Sequence, residues 1–334
     1  MEKLTETEIE KLIEIKFQSL ILDHHDISEF IFQHFSNFEA NVEQDYLSKL
    51  PTEDLDQIIF KTKKKFADST YEGDLLNERR HGLGRMFYDS GRYYFGEWRH
   101  DLREGRGMEH YTNGNNYKGF FVRGKADGIG IFRWANGEIY EGEWKEGLKH
   151  GKGIFKGEHG DYYIGFWKNS KAEGWGKHVW PNGNSYEGSW LEYNKHGVGV
   201  EKFNESKQEY FGEYLNGNFH GVGVYKYTNG DVYKGLWENG VRQGFGRLET
   251  KDFVYIGDFS KGFRDGNGYV RHKNGDYYIG EFCQDLRQGK GEMVWASGAT
   301  YKGEWEQDKQ KGWGVFIDDV KKDVKIGKFE DGEC

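Results

Sequence analysis

The sequence predicts a mainly β protein: an elongated, single-layer antiparallel ribbon of β-hairpin repeats, with a small α-helical segment at its N-terminus. Three observations predict it. A tyrosine returns with a period of about 23 residues, at Tyr71, Tyr94, Tyr117, Tyr140, Tyr163, Tyr186, Tyr210, Tyr233, Tyr255, Tyr278 and Tyr301. Each opens Tyr-x-Gly-x, followed by an aromatic residue in all but the first unit, and a Gly-x-Gly pair starts nine residues after the first glycine. The spacing from Tyr-x-Gly to Gly-x-Gly never changes, and all length variation falls between Gly-x-Gly and the next tyrosine. Self-similar units of this length stack into quasi-one-dimensional architectures, which more often bind than catalyse.

Residues 1–66 lack the repeat and read as helical. Ile9, Leu12, Ile13, Phe17, Leu20 and Ile21 recur at helical spacing behind a Thr5-x-x-Glu8 capping box. A second apolar patch holds Ile27, Phe30, Ile31, His34, Phe35 and Phe38, and a third centres on Tyr46, Leu47 and Leu50. Pro51 ends that one, and Leu55, Ile58, Ile59 and Phe60 begin a fourth whose last turn contains Lys63, Lys64 and Lys65. Cations there complement the helix dipole. These helices are expected to form a small bundle or to cap the first repeat.

Residues 68–334 form the repeat array. Tyr94, Gly96 and Trp98 alternate and share one strand face, as do Gly105, Gly107, Glu109 and Tyr111. Each unit is therefore a hairpin turning near Asp101-Leu102, joined to the next at Asn113-Gly114, a dipeptide suited to a type I′ turn. Glycine weakens a strand, so the repeated pair needs a reason, and the one expected is close cover by tyrosine and tryptophan rings from adjacent strands. That face continues through Met86, Phe132, Phe155, Tyr225, Leu248, Met293 and Phe316. It ends in a stripe from which Tyr111, Trp134, Trp180, Phe203, Tyr227 and Trp295 are the candidate partner-binding residues. The opposite face carries mainly Lys, Glu, Arg and Asp, with Trp175 and Trp313 as exceptions.

At about 4.8 Å per strand, eleven two-stranded units would span on the order of 100 Å. Some 66 helical residues cannot cover that length. Curvature and ring packing, self-association or a partner must cover the aromatic face, since a large exposed apolar surface marks an interaction site.

Tyr140-Glu141-Gly142-Glu143-Trp144 with His150-Gly151-Lys152-Gly153, and Tyr301-Lys302-Gly303-Glu304-Trp305 with Gly312-Trp313-Gly314, resemble the unit of the MORN repeat family. The resemblance covers about four-fifths of the chain. The first unit departs from it at Leu75, and a partial twelfth has Lys325 for tyrosine but keeps Gly327 and Phe329. Terminal repeats are commonly atypical because they act as caps. The resemblance implies a non-enzymatic scaffold of twisted hairpins. Its stand-alone members point to a cytoskeletal assembly, and above all to a ciliary axonemal complex of the radial-spoke kind. Partner peptides or helices would bind the aromatic face, and a peripheral membrane tether is the alternative.

Other chemistry finds little support. A net charge of −9 argues against nucleic acid and anionic lipid. Cys283 and Cys334 form no disulfide or metal framework, which suits a reducing compartment. No stretch approaches 18 apolar residues, and the acidic N-terminus lacks a signal-peptide pattern, so a cytoplasmic or cytoskeletal location is expected. His81, His150, His196 and His220 precede Gly-x-Gly pairs at equivalent positions without converging cysteines, which reads as scaffold rather than metal site. No Gly-x-Gly extends to a phosphate-binding loop, so no cofactor is expected. Glu97, Glu143 and Glu304 recur on the polar face and read as solvated carboxylates rather than catalytic ones.

Overall fold

A computed structural model describes residues 62–318 and 320–333. All regular structure among them is β-strand. Two compact units share it: twelve strands from Lys63–Lys65 to Ser185–Leu191, and twelve from Asn194–Phe203 to Asp323–Phe329. Within each unit, consecutive strands pair antiparallel in a meander with no second layer among the described residues. The helical expectations at residues 1–61 lie outside the described residues.

Lys63–Lys65 are not the last turn of a helix. They form an edge strand paired with Thr70–Glu72, and Lys63 Nζ lies 2.9 Å from Glu72 Oε1. Glu72 also binds Arg85, and the bond from Lys63 leads the effects that hold its pKa below the usual carboxylate range. A counter-charge and a sheet edge outweigh the weak helical preference of a three-lysine run.

The two turns of each unit also sort differently from the expectation. The tight two-residue turn falls at His100-Asp101, where both φ values are positive (48° and 72°), as type I′ requires. Asn113-Gly114 is a three-residue loop instead. Gly114 N–H donates to Tyr111 O (3.0 Å), Tyr111 N–H donates to Asn115 O (2.9 Å), and in the loop only Gly114 has positive φ (86°). Asn113 Oδ1 accepts the N–H of Asn115 at 3.2 Å, closing an Asx turn. Because only the glycine needs the left-handed region, serine serves as well before Gly91 and Gly298.

The core is a ladder of rings. In the first unit it runs Tyr71–Trp98–Tyr94–Phe121–Tyr117–Trp144–Tyr140–Trp167–Tyr163–Trp190–Tyr186, every contact edge-to-face at 5.0–5.6 Å. Such pairs add about 0.5–1.5 kcal/mol each beyond area burial. In the second unit the ladder runs from Tyr210 to Phe329 at 5.0–5.5 Å. Phe329, in the partial twelfth repeat, closes it against Tyr301. Every repeat tyrosine donates its hydroxyl to the carbonyl three residues on, at 2.8–3.1 Å. Six tryptophans donate Nε1–H to the second Gly-x-Gly carbonyl of the preceding repeat, at 3.0–3.3 Å.

This geometry explains the glycines as ring cover. A Cβ on Gly107 would lie 2.3 Å from the Tyr94 hydroxyl, and one on Gly96 would lie 2.5 Å from the Cα of Gly107. Gly105 serves a different purpose, since φ there is +66° beside a bulge at Gly96/Trp98. The carboxylate of Glu97 accepts the N–H of Arg106 at 3.2 Å. Glu143 and Glu304 do the same for Lys152 (3.3 Å) and Trp313 (3.2 Å). These glutamates are therefore bulge acceptors rather than merely solvated groups.

Candidate interaction face

The six candidate residues sit at one place in the repeat, just before the three-residue loop or, for Phe203, its longer variant. Alternation puts them on the tyrosine face, and the loop hydrogen bonds fix their backbone. Trp134, Trp180, Tyr227 and Trp295 each donate N–H to the residue closing the loop, at 2.9 Å. All six are half-buried. One side of each ring packs on the aromatic layer beneath: Trp134 on Phe132 (4.6 Å) and Phe155 (6.0 Å), Trp180 on His178 (4.4 Å), Tyr227 on Tyr225 (4.6 Å), Trp295 on Phe316 (6.0 Å), Phe203 on Tyr225 (6.4 Å) and Tyr111 on Phe132 (5.9 Å). Each keeps part of its surface exposed, although Arg92 lies 5.7 Å over the Tyr111 ring and Lys149 5.7 Å over that of Trp134. Tyr111 also donates to Glu109 Oε2 at 2.9 Å, and burial foremost, then the Glu109 charge, pushes its phenol pKa up.

Within each unit the row of rings is interrupted. Within the first unit, Tyr111 and Trp134 are in adjacent repeats, but Gly157 leaves a gap before Trp180. Within the second, Phe203 and Tyr227 are adjacent, whereas Thr250 and His272 separate them from Trp295. Each unit thus holds one adjacent pair of these rings and one ring set apart from that pair.

Sequence reasoning missed a row of cations beside these tips, two residues before seven of the eleven Gly-x-Gly pairs. Arg80 lies 4.4 Å over Trp98 and bonds Asp101 at 3.1 Å, and Arg287 lies 4.3 Å over Trp305 and bonds Asp308 at 2.9 Å. Arg264 bonds Asp285 at 3.0 Å in the same way. Arg103 binds Glu109, which is buried and also holds Arg92. Lys149 differs. Its Nζ lies among four rings, 4.3 Å from Trp167, 5.3 Å from Phe155, 5.4 Å from Tyr140 and 5.7 Å from Trp134. It has no carboxylate within ion-pair distance among the described residues, because Ser170 stands where Asp101 does and accepts only the backbone N–H (3.1 Å). Burial pushes its pKa down to about 8. The signal was legible as a cation recurring 21 residues before an Asp at the turn.

The four histidines singled out in the sequence occupy the position at which Glu104, Asp127 and Gln288 accept a turn N–H of the next repeat, at 3.0–3.1 Å. That is a scaffold position. Among the described residues no group of three or more His, Cys, Asp or Glu could hold a metal ion.

The MORN repeat model matches eleven consecutive segments between residues 71 and 319. No curated protein matches. Among solved structures, the TCP domain of SAS-4 from Drosophila melanogaster, in complex with a proline-rich motif, is similar at 12% identity, covering 53% of this chain and 83% of that one with a TM-score of 0.28. The TCP10 domain of Danio rerio CPAP, in complex with a peptide of STIL, matches at 12% identity over 69% and 96% of the two chains, with a TM-score of 0.26. Eleven matches in series, each beginning at a tyrosine of the ring ladder, place the chain in a family of interaction scaffolds: it belongs to the MORN repeat family.

Proposed function

We propose that this chain is a non-enzymatic scaffold of a cytoskeletal assembly, specifically a ciliary axonemal complex of the radial-spoke kind. It holds peptides or helices of neighbouring proteins on the hairpin tips of its tyrosine face. The observation that carries the reading is the row of half-buried rings at Tyr111, Trp134, Trp180, Phe203, Tyr227 and Trp295, each packed on a neighbouring ring and partly exposed. Rigid aromatics held on a regular lattice offer contact area at little entropic cost, and such residues dominate binding energy at interfaces. The axonemal assignment rests on the resemblance of stand-alone MORN chains to axonemal scaffolds. The cytoplasmic and cytoskeletal location follows from the same reading.

The test is detergent extraction of ciliated cells carrying a tagged copy, followed by localisation. Retention on stripped axonemes is expected, with crosslinks to neighbouring proteins that weaken in the Trp134→Ala, Trp180→Ala double variant. Release with the membrane fraction would replace the scaffold with a lipid tether. Crosslinks to identical copies alone would replace it with self-association.

A further inference from the structure

The face opposite the tyrosines carries its own row of directly opposed side chains. In the first unit it runs Arg85–Phe95–Met108–Lys118–Ile131–Glu141–Ile154–Ile164–Lys177. Side chains on one face of a single-layer sheet are open to water, and towards the end of the second unit they are: Ile279 is 53% and Ile326 71% exposed in the corresponding row, although Ile256 (6%) and Val222 (7%) nearer its start are buried. In the first unit Phe95 is 1%, Ile131 4% and Ile154 5% exposed. Trp175 and Trp313 occupy the same position of their repeats, between the two glycines, yet one is 7% and the other 68% exposed. Strand pairing and register repeat from unit to unit, so backbone geometry does not produce this contrast. No described strand lies against the first unit's row.

We propose that residues 27–60 of this chain cover this face from Phe95 to Trp175. Three properties select that occupant over a foreign one. The segment is tethered beside the face, ending two residues before Thr62 and the edge strand Lys63–Lys65. Its length suffices: the strands of Phe95 and Trp175 are seven spacings apart, about 34 Å at ~4.8 Å each, and 34 residues in the conformation expected from the sequence would reach ~50 Å. Its chemistry is complementary, with Ile27, Phe30, Ile31, Phe35 and Phe38 supplying an apolar stripe. It also carries seven Asp and Glu against the single Lys49. Over this stretch the face carries Arg106, Lys118, Arg133, Lys152, Lys156 and Lys177, against Glu97, Glu141, Glu143 and Glu187. The segment is thereby an intramolecular second layer, leaving the tyrosine-face tips as the open surface of this unit.

The test uses full-length protein with Cys283→Ser and Cys334→Ser, so that an introduced thiol reports alone. In the Ile131→Cys variant, alkylation by iodoacetamide is expected to be at least about tenfold slower than in Ile279→Cys, because reaction requires local opening. Adding Phe30→Glu and Phe35→Glu should raise the Ile131→Cys rate toward the Ile279→Cys rate with the β-sheet circular dichroism unchanged. Equal rates in the two single-thiol variants, or no response to the glutamates, would overturn the proposal. A second measurement needs no substitution: carbodiimide crosslinking is expected to join a carboxylate between Glu29 and Asp56 to Lys118 or Lys152 within one molecule. Links at those lysines formed only between isotopically distinct copies would assign the cover to a second chain and overturn it as well.

Discussion

Replacing Gly130 by alanine tests the logic of the ring ladder most directly. A Cβ there would lie 2.3 Å from the hydroxyl of Tyr117 and 2.6 Å from its Cε2 and Cζ. The methyl and the ring cannot share the space, and Gly130 itself cannot withdraw because it is paired on both sides, to Gly119 and Gly142. The ring must leave. Tyr117 is 1% exposed, packs edge-to-face on Phe121 and Trp144, and donates to Phe120 O at 2.9 Å. Expelling a buried aromatic costs about 3–5 kcal/mol, and orphaning a buried carbonyl adds about 1 kcal/mol or more. Gly137→Ala is the matched control. It sits in the neighbouring loop with nothing within 4 Å of its Cβ, but at φ +93°. There the cost is only that of a left-handed alanine, roughly 1–2 kcal/mol. Urea unfolding of both variants, followed by near-ultraviolet circular dichroism, compares them. If Gly130→Ala costs no more than Gly137→Ala, the glycine pairs are not there to admit the ring, and the account of the repeat fails.

Four further outcomes follow from the same geometry. Tyr117→Phe keeps the ring but loses its hydroxyl bond to Phe120 O and should cost about 1 kcal/mol in the same urea assay, far less than Gly130→Ala. Lys149 should titrate near 8 by NMR of labelled lysine, and Ser170→Asp, which restores the counter-charge found at Asp101, should raise that value. Its folded pKa lies below the ordinary 10.5, so the unfolded chain binds more protons between about 8 and 10.5, and this lysine's contribution favours folding as pH rises through that window. The tyrosines act oppositely: burial pushes Tyr71 up to about 12 from 10.0, so its contribution is full below 10 and is lost as pH climbs through the folded value. Gln307→Asn, at a turn position with φ +48°, should stabilise by several tenths of a kcal/mol in thermal melts, because asparagine tolerates the left-handed region better than glutamine.

The repeat, its β character and the pairing of glycine with ring cover were all readable from residue spacing. A period of about 23 with alternating Tyr, Gly and Trp leaves a strand one way to face, and a one-residue slip would turn every ring to the wrong side. Even the partial twelfth unit was legible, since Phe329 keeps its place in the ladder although Lys325 has lost the tyrosine. Three things were not legible because they depend on what lies across the sheet rather than along the chain. Lys63–Lys65 became a strand because Tyr71 and Glu72 offered an edge and a charge. Asn113-Gly114 took a three-residue loop because the register of the strands it joins admits one more residue than a type I′ turn holds. Trp175 and Trp313 are indistinguishable by position in the repeat, yet one is buried and the other open. Local pattern determines which face a side chain takes. Whether water reaches that face is decided by what else occupies the space in front of it, and only the tertiary structure holds that information.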